Sequence, residues 1–158
     1  MTETHTTKLR FGHVTEYDPS RHMARVNFPD MGIVSYWLPV LVNNSLKNHD
    51  YAPLDIGEHV ACMMAGEMGV VLGAFYDDKN PPPAGDRDIR RVLFEDGTQV
   101  SYDRQSSALI VDAKNDVLVN AVNVEVSADE IEIYGKEKLT LKGKKILASF
   151  KDWDEEEL

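Results

Sequence analysis

Histidines, a cysteine and paired carboxylates are the side chains from which this chain could build chemistry, and they are few and scattered. His13 and His22 lie on either side of Asp18-Pro19-Ser20-Arg21, a turn with proline preset at its second position, so the first hairpin could bring the two rings together. Two imidazoles without a third ligand do not make a zinc site. Asp77-Asp78 and Glu95-Asp96 flank turns, where carboxylates bond to nearby backbone amides. Cys62 lies inside the apolar run HVACMMA and reads as a small buried hydrophobe; with no second cysteine there is no disulfide to infer. No nucleophile stands beside a base, so the expectation is a non-enzyme with no catalytic residue, cofactor or metal. Tyr36 and Trp37 are adjacent aromatics that could stack bases, fill a core or meet a partner.

Composition narrows these options. The chain has 158 residues and a formal net charge of −10, with no basic stripe to neutralise phosphates, so nucleic-acid binding is not expected. That leaves Tyr36 and Trp37 as candidates for barrel core or for contact with another protein. The Thr-rich opening Met1 to Lys8 has no apolar core, so no signal peptide is expected, and no run approaches the ~18 apolar residues of a membrane-crossing helix. The reading places synthesis in the cytoplasm.

The elements that must position these residues are strands. Helical periodicity is nearly absent, and Gly, Pro, Asn and Asp punctuate short apolar runs. Strands are predicted at Leu9 to Tyr17, His22 to Phe28, Ile33 to Leu41 with Pro39 marking an edge or bulge, His59 to Met64, and Val70 to Tyr76. Because HVACMMA is almost continuously apolar, His59 to Met64 is expected to be buried, while Val42 to Leu54 reads as an irregular connection. Five short strands with one long connection fit a small Greek-key barrel of the OB kind. Asn80-Pro81-Pro82-Pro83 is then a semi-rigid spacer. Asp96-Gly97 between Arg91 to Glu95 and Thr98 to Asp103 is a strong hairpin signal.

From Ala108 to Ser149 one pattern recurs: ALIVDA, DVLVNA, NVEVSA, EIEIYG, KLTLKG, KKILAS. The middle apolar residues Val111, Val119, Val126, Ile133, Leu141 and Ala148 are spaced by 8, 7, 7, 8 and 7 residues. Within each copy the apolar residues sit two apart (Leu109 and Val111, Val117 and Val119, Val124 and Val126, Ile131 and Ile133, Leu139 and Leu141, then Ile146). A small residue follows: Ala113, Ala121, Ala128, Gly135 or Gly143. Each strand offers too little apolar surface to hold a lone sheet once backbone ordering is counted, so the strands need a partner surface. A meander on another domain, a single-chain solenoid and several chains wound together all provide one. Six strands make only about two turns of a three-sided solenoid, whereas three wound chains close every lateral edge. The intertwined trimer is the reading carried forward.

The order of these parts resembles a known family, the baseplate assembly protein V or central spike of contractile phage tails, related to the spikes of other contractile injection systems. The matching stretches are WLPVL at Trp37 to Leu41, DIGEHVACMMAGEMGVVLGAFYDDKNP at Asp55 to Pro81, and VLFEDGTQVSYDRQSSALIV at Val92 to Val111. The resemblance implies an all-β chain with an N-terminal OB barrel that docks on the tail hub. It also implies a C-terminal triple-stranded β-helix in which a homotrimer forms a rigid needle that penetrates the host envelope. The location implied is the virion tail baseplate, assembled in the host cytoplasm. On this basis residues 1–8 are a flexible start, 9–77 the OB domain, 78–88 the linker, 89–149 the hairpin and stem, and 150–158 an acidic tail.

One feature of that family is not expected here. Many members end in an apex where a His-x-His pair from each chain binds iron, but His5, His13, His22, His49 and His59 all precede the repeats. At one inter-strand spacing per strand the stem would be short, about 29 Å. Gly135 to Lys151 carries lysines at 136, 138, 142, 144, 145 and 151, followed by the acidic Asp152 to Glu157. The expectation is a blunt stem that accepts a separate tip protein, with Phe150 and Trp153 as apolar anchors. The alternative function is an oligomeric OB-fold binding module whose repeats serve only to trimerise it.

Overall fold

A computed structural model describes residues 6–83 and 85–146, which contain strands and no helix. The chain divides between Asn115 and Asp116 into two units, so the β-hairpin segment groups with the N-terminal unit and apart from the following repeats. In the first unit, strands β1 (Thr7–Asp18), β2 (Met23–Phe28), β3 (Ile33–Val34), β4 (Leu38–Pro39), β7 (His59–Ala65) and β8 (Met68–Ala74) form one antiparallel sheet. Its order is β3-β2-β1-β7-β8, with β4 also pairing β2. Its two ends meet where Val40 bridges Val71 in parallel and the Leu41 amide donates to the Val71 carbonyl at 2.9 Å. Closure turns one face of each strand inward, and the period of two does the rest. Val14, Ala24, Val26, Phe28, Leu38, Val60, Cys62, Met64 and Val71 form the buried core.

Three local results depart from the sequence-based expectation. The third strand is split, because the register on β2 shifts by one residue between Asn27↔Val34 and Ala24↔Leu38. The extra residue is accommodated at Ser35, whose buried hydroxyl accepts the Val26 amide at 2.9 Å and donates to the Tyr36 carbonyl at 2.7 Å. Next, the 42–54 connection is not wholly irregular: β5 (Ser45–Leu46) and β6 (Asn48–His49) make a small hairpin turning at Lys47, which has φ 63°. Third, β7 is not buried on both sides. Val60, Cys62 and Met64 point inward while Met63 is 45% exposed, since a closed sheet has only one interior face.

Gly12 shows how tightly β1 and β2 approach. A side chain there would run into the Asn27 carbonyl oxygen and the Val26 side chain, so only glycine fits. Beyond β8, the Asp77 and Asn80 backbones bond to each other at 3.2 Å and the chain enters the prolines. Strands β9 (Ile89–Leu93), β10 (Gln99–Asp103) and β11 (Ala108–Asp112) then form a separate antiparallel sheet, order β11-β10-β9. The β9–β10 turn is the predicted Asp96-Gly97 hairpin, with Gly97 at φ 85° and the Phe94 amide donating to the Thr98 carbonyl at 2.9 Å.

The second unit is different in kind. From Asp116 to Ile146 no residue is in a strand, and every residue from Lys114 to Ile146 is exposed. From the second copy on, the repeats have the alternation of strands without a ladder to join in this single chain.

Candidate functional site

The apolar repeat residues are exposed in the single chain, in each of the two units. In the first unit, Leu109 and Val111 on β11 are 71% and 58% exposed. Register places Val111 and Val92 on either side of Val100, and Leu109 beside Tyr102, so one face of the β9–β11 sheet is apolar and open. In the second unit Val117, Val119, Val124, Val126, Ile131, Ile133, Leu139, Leu141 and Ile146 are all more than half exposed. At Gly135 a side chain would meet the Lys138 carbonyl oxygen at 2.8 Å, a physical reason for a small residue at the end of that copy. Lys136, Lys138, Lys142, Lys144 and Lys145 are exposed. Phe150, Trp153 and the acidic tail lie outside the described residues.

Tyr36 and Trp37 are not barrel core. The extra residue in the third strand lifts Tyr36 outward, leaving it 68% exposed, while Trp37 is half-buried with the Arg21 guanidinium 5.2 Å from its ring centroid. Between them, Ser35 and Leu38 take the inward positions.

His13 and His22 do not meet. His13 lies opposite His59 on β7, and the rings stack with centroids 4.4 Å apart. His22, at φ 53°, instead faces Tyr17, with Nδ1 2.6 Å from the phenol oxygen, and its Nε2 is buried without a partner. Burial, followed by the hydrogen bond to Tyr51, pushes the Tyr17 hydroxyl up to about 12. Burial likewise raises the Cys62 thiol to about 11, which leaves it protonated and inert.

The carboxyls with altered titration serve turns. Asp18 is held down at about 2 by Ser20 and Arg21. Asp77 is lowered chiefly by the Asn80 amide, then by the Lys79 amide and His59, whose Nδ1 lies 3.2 Å away. Asp96 is lowered by Thr98, and Asp103 by Ser106 and Gln105. Each bonds to groups two or three residues on, the geometry of a carboxylate that locks a bend. Among the described residues no three His, Cys, Asp or Glu side chains gather as a metal site.

Sequence reasoning missed one surface. The outer face of β1 and β7 carries Leu9 opposite Met63 and Phe11 opposite Ala61, and Phe75 reaches over to Phe11 with ring centroids 5.5 Å apart. The signal was present in HVACMMA, whose apolar residues occupy both phases of the alternation. One phase feeds the core and the other faces out.

Exposed apolar faces in an all-β chain are the features of an assembly component. No family model matches the chain. It is 27% identical over 106 residues to the Spike protein of Escherichia phage P2, a match that covers 65% of this chain and 49% of that protein. The chain therefore spans about half the length of the curated relative. The similarity is to a phage spike protein and extends over that stretch of the chain.

Proposed function

We propose that this chain is the central spike of a contractile tail baseplate, working as a homotrimer and without catalysis. The observation that carries this reading is the second unit, where the apolar positions from Val117 to Ile146 recur every seven or eight residues yet are exposed and unpaired in one chain. An alternating apolar pattern with no ladder of its own is satisfied when neighbouring chains supply both strands and cover. Three chains wound together bury Val117, Val119, Val124, Val126, Ile131, Ile133, Leu139, Leu141 and Ile146 inside a triple-stranded β-helix. Leu109 and Val111 belong to the first copy of the same repeat.

In the same reading the closed N-terminal sheet is an OB barrel. Counting β3 and β4 as one strand, its five strands join end to end with a parallel contact between the third and the last, as in a partly open Greek-key barrel. This domain docks on the tail hub, the stem transmits the thrust of the contracting sheath to the host envelope, and a separate protein forms the tip. The mass of the full chain in solution, with its resistance to SDS and heat, tests the reading. A trimer that survives SDS is expected, and a monomer at micromolar concentration overturns it.

A further inference from the structure

An antiparallel sheet that covers a core on one side usually shows polar residues on the other. Here the outward positions of β1 and β7 are mostly apolar, with the stacked His13 and His59 at one end. Leu9 is 58% exposed, Phe11 52%, Met63 45% and Phe75 38%, and register makes them neighbours: Leu9 pairs Met63, and Met63 pairs Val70 on β8. Gly73 opposite Ala61 contributes no side chain, which leaves room for the Phe11 and Phe75 rings to meet edge to face. Nothing in the barrel requires this second apolar face, since the core lies on the other side of the same strands.

The rim of the face is acidic. At one end a cleft of about 640 Å³ is lined by Asp55, Ile56, Glu58, His59, Phe75 and Tyr76. Asp78 follows just beyond, and Glu67 stands in the β7–β8 turn at the other end. Among the described residues none of Asp55, Glu58, Glu67 and Asp78 has an ion-pair partner. An apolar centre with aromatic anchors and a charged rim is the make-up of a protein-binding surface. Its charge selects the occupant: carboxylates repel anionic lipid and nucleic acid, and self-pairing of this face would set its acidic rim against itself.

We infer that the outer face of β1, β7 and β8 docks a protein surface that is apolar at its centre and basic at its rim. An arginine from that surface enters the Phe75–Tyr76 cleft, where a guanidinium stacks on the aromatic rings and pairs with Asp55 and Glu58. This rests on the proposed spike reading, in which the partner is the tail hub, and it puts the hub contact on this face, whereas the sequence offered Tyr36 and Trp37 as candidates for it.

The test uses the full-length chain and, as probe, the purified tail hub protein of the same virion. Phe11→Asp and Phe75→Ser each alter the face without entering the core, and thermal melts check that both remain folded. Each is expected to weaken hub binding by about 30-fold or more, while the SDS-resistant trimer persists. Asp55→Lys is expected to weaken binding about tenfold and to flatten its salt dependence. Hub binding by both Phe11→Asp and Phe75→Ser at wild-type strength overturns the face and leaves the spike reading standing. A trimer that does not bind the hub at all overturns docking itself. Loss of the trimer in Phe11→Asp shows a second copy to be the occupant and also overturns the proposal, as does wild-type binding to phosphatidylglycerol vesicles that Phe11→Asp abolishes.

Discussion

Val126→Asp separates the assembly from the fold of the single chain. Val126 is 68% exposed in one chain, so a carboxylate there meets water and costs the monomer almost nothing. In the proposed wound trimer the same position is buried. The substitution forfeits about 1 kcal/mol of apolar burial and adds about 3 kcal/mol or more for an unpaired buried charge, roughly 4 kcal/mol per chain. Threefold symmetry triples this to about 12 kcal/mol, or roughly eight to nine orders of magnitude in the trimer association constant at ~1.4 kcal/mol per tenfold. Sedimentation at micromolar concentration should therefore show a monomer for the variant and, on the proposed reading, a trimer for the wild type. Far-ultraviolet circular dichroism should show the variant losing the strand signal of the stem while keeping that of the barrel. The control Glu125→Gln, on the polar phase of the same alternation, should remain trimeric. A Val126→Asp chain that sediments as a trimer would refute burial of this strip.

Two further outcomes test the barrel. Gly12→Ala should destabilise the first unit by about 1–3 kcal/mol, read as a lower denaturant midpoint, because the Asn27 carbonyl and Val26 cannot both move aside. Asp18→Asn tests the first turn: the folded carboxyl sits near 2 against an ordinary 3.8, so its contribution is complete above about pH 4 and disappears as pH falls through 2. Urea titrations at several pH values should show wild type more stable than Asp18→Asn by a constant margin above that window, with the gap closing towards pH 2. A gap that widened on acidification would reverse the assignment.

Much of this protein could be read from local chemistry. The strand character of β1, β2, β7 and β8, the Asp18-Pro19 and Asp96-Gly97 turns and the strand of the first repeat copy, Ala108–Asp112, follow from side-chain alternation and backbone preference, which act over a few residues. Non-local register was not legible. A one-residue shift on β2 decided that the third strand breaks at Ser35 and lifts Tyr36 out of the core. Pairing of β1 with β7, far apart in sequence, set His13 on His59 and not on His22. The same pairing decided which half of HVACMMA faces the core and which half, with Leu9 and Phe11, forms an outer apolar face. Alternation tells only that a strand has two faces. Which of them is inside depends on what closes over it, and that is a property of the folded sheet.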